Sequence, residues 1–171
     1  FANTAKIIEV SFPSTLTSIS SSAFQSNLLT QVDVNNVISI GINSFAYNSY
    51  LDTVNLRSVQ TIGSSAFSGT GGVGGGYDLV LPSTLTSISG QAFYNAKINS
   101  VTFDAANQVT GAFYSSDLTS IIVPNSVTSI GAQAFEASPL TSAVISNGTI
   151  GNYAFRNITT LTSLTLNSGV T

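Results

Sequence analysis

The sequence predicts a repeat solenoid, mostly short parallel β-strands joined by short 3₁₀ or α turns, in about seven to eight repeats of roughly 20–26 residues. Three observations carry this. The string "VPNSVTSIGAQAFEASPLTS" at 123–142 nearly repeats "LPSTLTSISGQAFYNAKINS" at 81–100. Eight of the ten phenylalanines, Phe1, Phe24, Phe45, Phe67, Phe93, Phe113, Phe135 and Phe155, fall on one ladder of near-constant interval. Aliphatic residues stand at fixed offsets from most of them. Chemistry is seldom written twice at equal spacing, whereas stackable architecture is.

Within the unit, LxxIxV places apolar residues two apart, as in Leu29, Val32 and Val34 or Leu118, Ile121 and Val123. That alternation suits a short strand with one face buried. The following VxxIG carries a second aliphatic pair, for example Val127 and Ile130, and ends in a turn-permissive Gly or Ser. GxxAF then predicts one short helical or 3₁₀ turn that points Phe inward. No single repeat can bury these faces alone, so each position becomes an inner row only on stacking. Two irregularities are visible. A glycine-rich insertion, "SGTGGVGGGYD" at 68–78, lengthens the third repeat, and added loop length costs little. The fifth repeat, "AANQVTGAF", is one residue short and puts Gln108 where Ile is expected. The chain opens on Phe1 at the AF position and closes on "GVT", so the expectation is one solenoid, 1–171, that is a segment of a longer repeat protein or is covered at its ends by neighbouring copies.

The string "LTSIIVPNSVTSIGAQAF" resembles the BspA-like leucine-rich repeats, also called the Treponema pallidum type, and the resemblance covers essentially the whole chain. It implies a leucine-rich-repeat solenoid in which each repeat adds a strand to a parallel sheet. It also implies a secreted or surface protein active in adhesion. The family often has Cys three residues after the Phe; here Asn27, Asn48, Thr70, Ala96, Ser116, Ser138 and Ile158 stand there. The long asparagine ladder of ordinary leucine-rich repeats is missing.

Composition narrows the chemistry. With 43% hydrophobic residues the chain can build a continuous core, but only 6% are charged, against about a quarter in ordinary soluble domains. Solubility rests on Ser, Thr and Asn. Four Lys and Arg scattered through a chain of net charge −3 give no basic stripe, which excludes nucleic acid as a partner. No apolar run approaches membrane-spanning length, so no membrane insertion is expected of this segment. The absence of Cys and His removes thiol nucleophiles, zinc thiolate sites and the Ser-His triad. The seven acidic residues are dispersed, with a weak calcium contact conceivable only from Glu9, Asp33 and Asp78 on one strand face. The glycine-rich stretch runs into a strand and is followed by no GK[ST], so it is no phosphate loop. No enzyme, cofactor or metal is expected.

The candidate binding residues lie between the last two aliphatics of each strand: Ser11, Asp33, Asn55, Val80, Thr102, Ile122, Val144 and Thr165. This outward row has small polar residues with apolar steps at Val80, Ile122 and Val144. Tyr94 and Tyr114 each follow a ladder Phe and form an aromatic pair on one edge. "NGT" at Asn147 and "NIT" at Asn157 are glycosylation sequons. The first functional expectation is a non-enzymatic extracellular or cell-surface adhesion module that meets a protein or glycan surface. The second is a structural protein that assembles with copies of itself into a filament or coat. A remote third is an ice-binding solenoid, from Thr17, Thr86 and Thr128 in the TSI strings, a row interrupted by Ile38 and Gln60.

Overall fold

The computed structural model describes residues 1–2, 6–104 and 111–171, with the backbone alone at 108–109. The chain winds as a parallel β-solenoid, and two ladders of strands run its length. The first is built of two-residue rungs: β1 (Ser18–Ile19), β3 (Ser39–Ile40), β5 (Thr61–Ile62), β7 (Ser87–Ile88), β9 (Gln108–Val109) and β11 (Ser129–Ile130). The second holds β2 (Gln31–Asp33), β4 (Thr53–Asn55), β6 (Tyr77–Leu81), β8 (Ile98–Phe103), β10 (Ser120–Val123), β12 (Ser142–Ile150) and β13 (Ser163–Val170). Every paired strand is parallel, and equivalent residues of successive repeats face one another, as in Ile19, Ile40, Ile62 and Ile88. The sequence spacing fixes this register, because a one-residue slip would turn each inner row outward.

β12 serves both ladders. Its start pairs with β10 and its last two residues, Thr149 and Ile150, pair with Ser129 and Ile130. The corner that Pro124–Thr128 makes in the preceding repeat is two residues shorter here, and Gly148 takes it with φ +97°. A Cβ at Gly148 would lie 2.7 Å from the Thr128 backbone, so only glycine fits.

The core lies between the ladders and the Phe turns. Phe45, Phe67, Phe93, Phe113 and Phe135 are fully buried, and all eight ladder rings stack in sequence, with centroids 5.3–5.8 Å apart and planes within 25°. Offset ring stacking adds to the burial of each ring about 0.5–1.5 kcal/mol per pair.

The Phe turn differs from the expected helical turn: among the described residues there is no α or 3₁₀ helix. From Phe24 to Phe155, the residues two before and two after each ladder Phe adopt left-handed φ near +50° to +65°, as at Asn43 and Tyr47 around Phe45, or Gln133 and Ala137 around Phe135. Left-handed residues stop a helix from propagating. The backbone N–H groups then alternate. Ala46 and Ser44 donate to carbonyls three residues back within the turn, while Asn43, Phe45 and Tyr47 donate to Ser64, Ala66 and Ser68 of the next repeat. The same pattern recurs around Phe24, Phe93 and Phe135, giving a third inter-repeat ladder with no strand geometry. The Gly of VxxIG also has a different reason from turn freedom. Gly41, Gly63 and Gly151 have no left-handed φ; an added Cβ would meet the backbone of the preceding repeat at 2.6–2.8 Å, so close stacking selects glycine.

In place of a Cys ladder, the position three after Phe holds a buried polar seam of Asn27, Asn48, Thr70, Ser116 and Ser138, interrupted by Ala96. Asn48 accepts from the Leu29 N–H and donates to the Phe24 and Phe45 carbonyls at 2.8–3.1 Å. One repeat earlier Asn27 accepts from the Ile7 N–H and donates to the Phe1 and Gln25 carbonyls, Thr70 donates to the Phe67 carbonyl, and Ser138 to that of Phe113. The insertion at 68–78 is held to its neighbour, with Val73 and Gly74 N–H both donating to the Ser49 carbonyl. It is anchored by Tyr77, buried at the start of β6 with its hydroxyl 2.9 Å from Thr70 Oγ1. Burial pushes the Tyr77 pKa far up, and the Thr70 hydrogen bond only partly offsets this.

The fifth repeat is corrected in register. Val109, not Gln108, takes the Ile position opposite Ile130, and Gln108 lies opposite Ser129. The missing residue therefore falls between Val109 and Phe113. Residues 105–107 and 110 of that repeat lie outside the described ones.

Candidate functional site: the outward strand row

The second ladder turns the row named above to solvent. Asp33 faces Asn55, Val80 faces Thr102, Ile122 faces Val144 and Val144 faces Thr165 as register partners. Val80 and Ile122 are 46% and 66% exposed, whereas their strand neighbours Leu79, Leu81, Ile121 and Val123 are buried. The alternation of the strand thus places every row residue on one face.

Three clefts open along this row, each between two adjacent strands and the turns that follow them. Asp33 borders one of about 170 Å³ with Phe12, Pro13 and Asn35. Asn55 and Val80 border another of about 310 Å³, walled by Arg57, Pro82 and Asp104. Thr102 and Ile122 border a third of about 290 Å³ with Phe103 and Pro124. Val144 and Thr165 continue the row without lining a cleft. The wall residues were not singled out by the row pattern. Their signal is the recurring Pro two residues after the row position, Pro13, Pro82 and Pro124, in "SFPS", "VLPS" and "IVPN". The row is polar over its first three residues, Ser11, Asp33 and Asn55, and mixed beyond, with apolar Val80, Ile122 and Val144 among Thr102 and Thr165.

The other sequence-derived residues lie elsewhere. Asn147 sits in β12 with its amide donating to the Asn125 carbonyl at 3.0 Å. Asn157 is exposed, has φ +60°, and donates to Glu136 Oε1 at 3.3 Å. Thr17, Thr86 and Thr128 are exposed beside the first ladder, with Ile38 and Gln60 exposed between them. The Tyr94 and Tyr114 rings stack at 5.3 Å on the Phe-turn edge. Among the described residues no three acidic, His or Cys side chains gather as metal ligands, and no helix is long and apolar enough to cross a membrane.

Glu136 escaped the sequence reading. Its carboxylate is buried and ion-paired at 2.6 Å with Arg156, which lies over the Tyr153 ring, and it accepts from the Gln133 amide at 2.7 Å. Burial alone would push its pKa up. The Gln133 hydrogen bond and the hydrogen bond and charge of Arg156 outweigh that, holding the carboxyl below its usual range. A depressed folded-state pKa adds stability above the ordinary Glu range and loses it as pH falls through the folded value. Thermal melts at decreasing pH should therefore show an acid-side loss that is smaller in Glu136→Gln; an identical acid limb in both would remove this role.

These features define a class: a non-helical repeat solenoid with a stacked phenylalanine spine and a variable outward strand row. The BspA type leucine rich repeat region matches the chain in six copies, over residues 1–73 and 77–171, and the chain belongs to that family. Leucine-rich repeats of this kind generally mediate protein binding, are typically non-enzymatic and are often surface-associated. A leucine-rich repeat protein from Bacteroides ovatus superposes with TM-score 0.77 at 26% identity, over 92% of this chain and 42% of that one. The chain thus spans less than half of that protein's length. The T. pallidum leucine-rich repeat protein shares the fold, with TM-score 0.60 at 23% identity over 94% of this chain and 70% of its own. Curated proteins give no sequence match.

Proposed function

We propose that this chain is a non-enzymatic adhesion module, secreted or displayed on the cell surface, that binds a protein or glycan surface along the outward strand row. The observation that supports it is the coincidence of the row with three clefts: five of its residues, Asp33, Asn55, Val80, Thr102 and Ile122, line them. A row of small side chains backed by a rigid core presents variable chemistry on a fixed spacing, which is what a solenoid binding surface requires. The test is retention of purified extracellular-matrix proteins, and of cells, on the immobilised chain. The double variant Val80→Asp/Ile122→Asp should lose at least tenfold in affinity with its melting temperature unchanged. Unaltered retention by that variant would remove the row from the reading.

A further inference from the structure

We infer a second binding site, on the Phe-turn edge away from the strand row, that takes a neutral saccharide. It arises at the fourth repeat. Three residues before the ladder Phe, other repeats carry the outward side chains Ile42, Ser64, Ala132 and Asn152, and the fourth has Gly90 there. The result is a cleft of about 520 Å³, the largest among those described, within the range of about 300–1,000 Å³ typical of small-ligand sites.

Its floor is Gly90, Gly111 and Ala132, and Gln91 and Gln133 stand one repeat to either side of Gly111, with Tyr114 along the flank. Gly111 has φ +48°, and an added Cβ there would meet the Ala132 carbonyl at 3.1 Å, so the floor stays flat. The chemistry selects the ligand. Among the described residues no charged side chain lines the cleft, so neither an anion nor a cation is favoured there. A carboxamide both donates and accepts, as does a sugar hydroxyl. Gln91 is exposed, as is Gln133, which gives one amide hydrogen to Glu136. Tyr114, stacked on Tyr94, supplies a rigid apolar ring for the C–H face of a pyranose. The inference deepens the adhesion reading by giving it a glycan partner, but it does not depend on the strand row.

Gly90 allows a direct test. Its φ is not left-handed, and a Cβ there meets nothing within 4 Å, so Gly90→Phe fills the cleft without straining the fold. The intact chain is tested on immobilised neutral hexose and N-acetylhexosamine oligosaccharides, followed by titration calorimetry with the best of them. Gly90→Phe and Gln91→Ala should each lose at least tenfold in affinity with unchanged melting temperature, while Val80→Asp/Ile122→Asp binds as the parent does. Full binding by Gly90→Phe, loss of sugar binding only in the strand-row variant, or no neutral sugar held by the parent chain overturns the saccharide site. In the last case, protein adhesion that still depends on Val80 and Ile122 leaves the module reading standing.

Discussion

Phe93→Ala should destabilise the solenoid by about 3–5 kcal/mol, the cost of removing a buried aromatic side chain and leaving its cavity. The ring is fully buried between Phe67 and Phe113, each 5.3 Å away and nearly coplanar, so truncation breaks two stacking contacts at once. The neighbouring repeats cannot close the gap, because their spacing is set independently by the strand ladders and by the turn hydrogen bonds. Denaturant unfolding measures the loss, and amide exchange should accelerate most in the turns around Phe67, Phe93 and Phe113, since each repeat touches only its neighbours. A loss below about 1 kcal/mol would mean that the spine is not the principal source of cohesion.

The second large effect is expected at Asn48. Asn48→Ala leaves the Leu29 N–H and the Phe24 and Phe45 carbonyls without their side-chain partner in the interior, at about 1–3 kcal/mol for each buried group left unsatisfied. A total of about 3 kcal/mol or more follows. Asn48→Thr should recover part of it, because Thr70 reaches the Phe67 carbonyl from the equivalent position at 2.8 Å. If alanine and threonine destabilise equally, the seam acts through shape and not through hydrogen bonding.

The strand ladders were legible because burial of one face imposes a period of two, and Leu29, Val32 and Val34 display it openly. The Phe spine was legible for the same reason: a ring that must stack on its counterpart recurs at every repeat. The turn was not. Nothing in Ser22, Tyr47, Gln91 or Ala137 marks a left-handed backbone, and all four adopt one. That conformation is imposed by the next repeat, whose carbonyls capture alternate N–H groups; AF preceded by Gly reads locally as the start of a helix. Gln108 was misplaced because pattern matching set the gap before it, whereas strand pairing puts Val109 opposite Ile130. The row residues followed directly from alternation. Their cleft walls did not, since Arg57 and Asp104 reach the row only through the turn geometry. Glu136 was hidden for a related reason: its partner Arg156 lies one repeat on, a distance no local motif spans.

The alternating hydrogen bonds of the Phe turns bear on how a repeat solenoid carries load. Two strand ladders, the turn ladder and a ring stack join each coil to the next, and a pull along the axis passes through every such junction in series. Each junction feels the whole force, so the molecule is as strong as its weakest seam and yields coil by coil. Extension by single coils would let the chain lengthen stepwise under a pull and re-form when the tension falls, where a single cooperative domain would unfold whole.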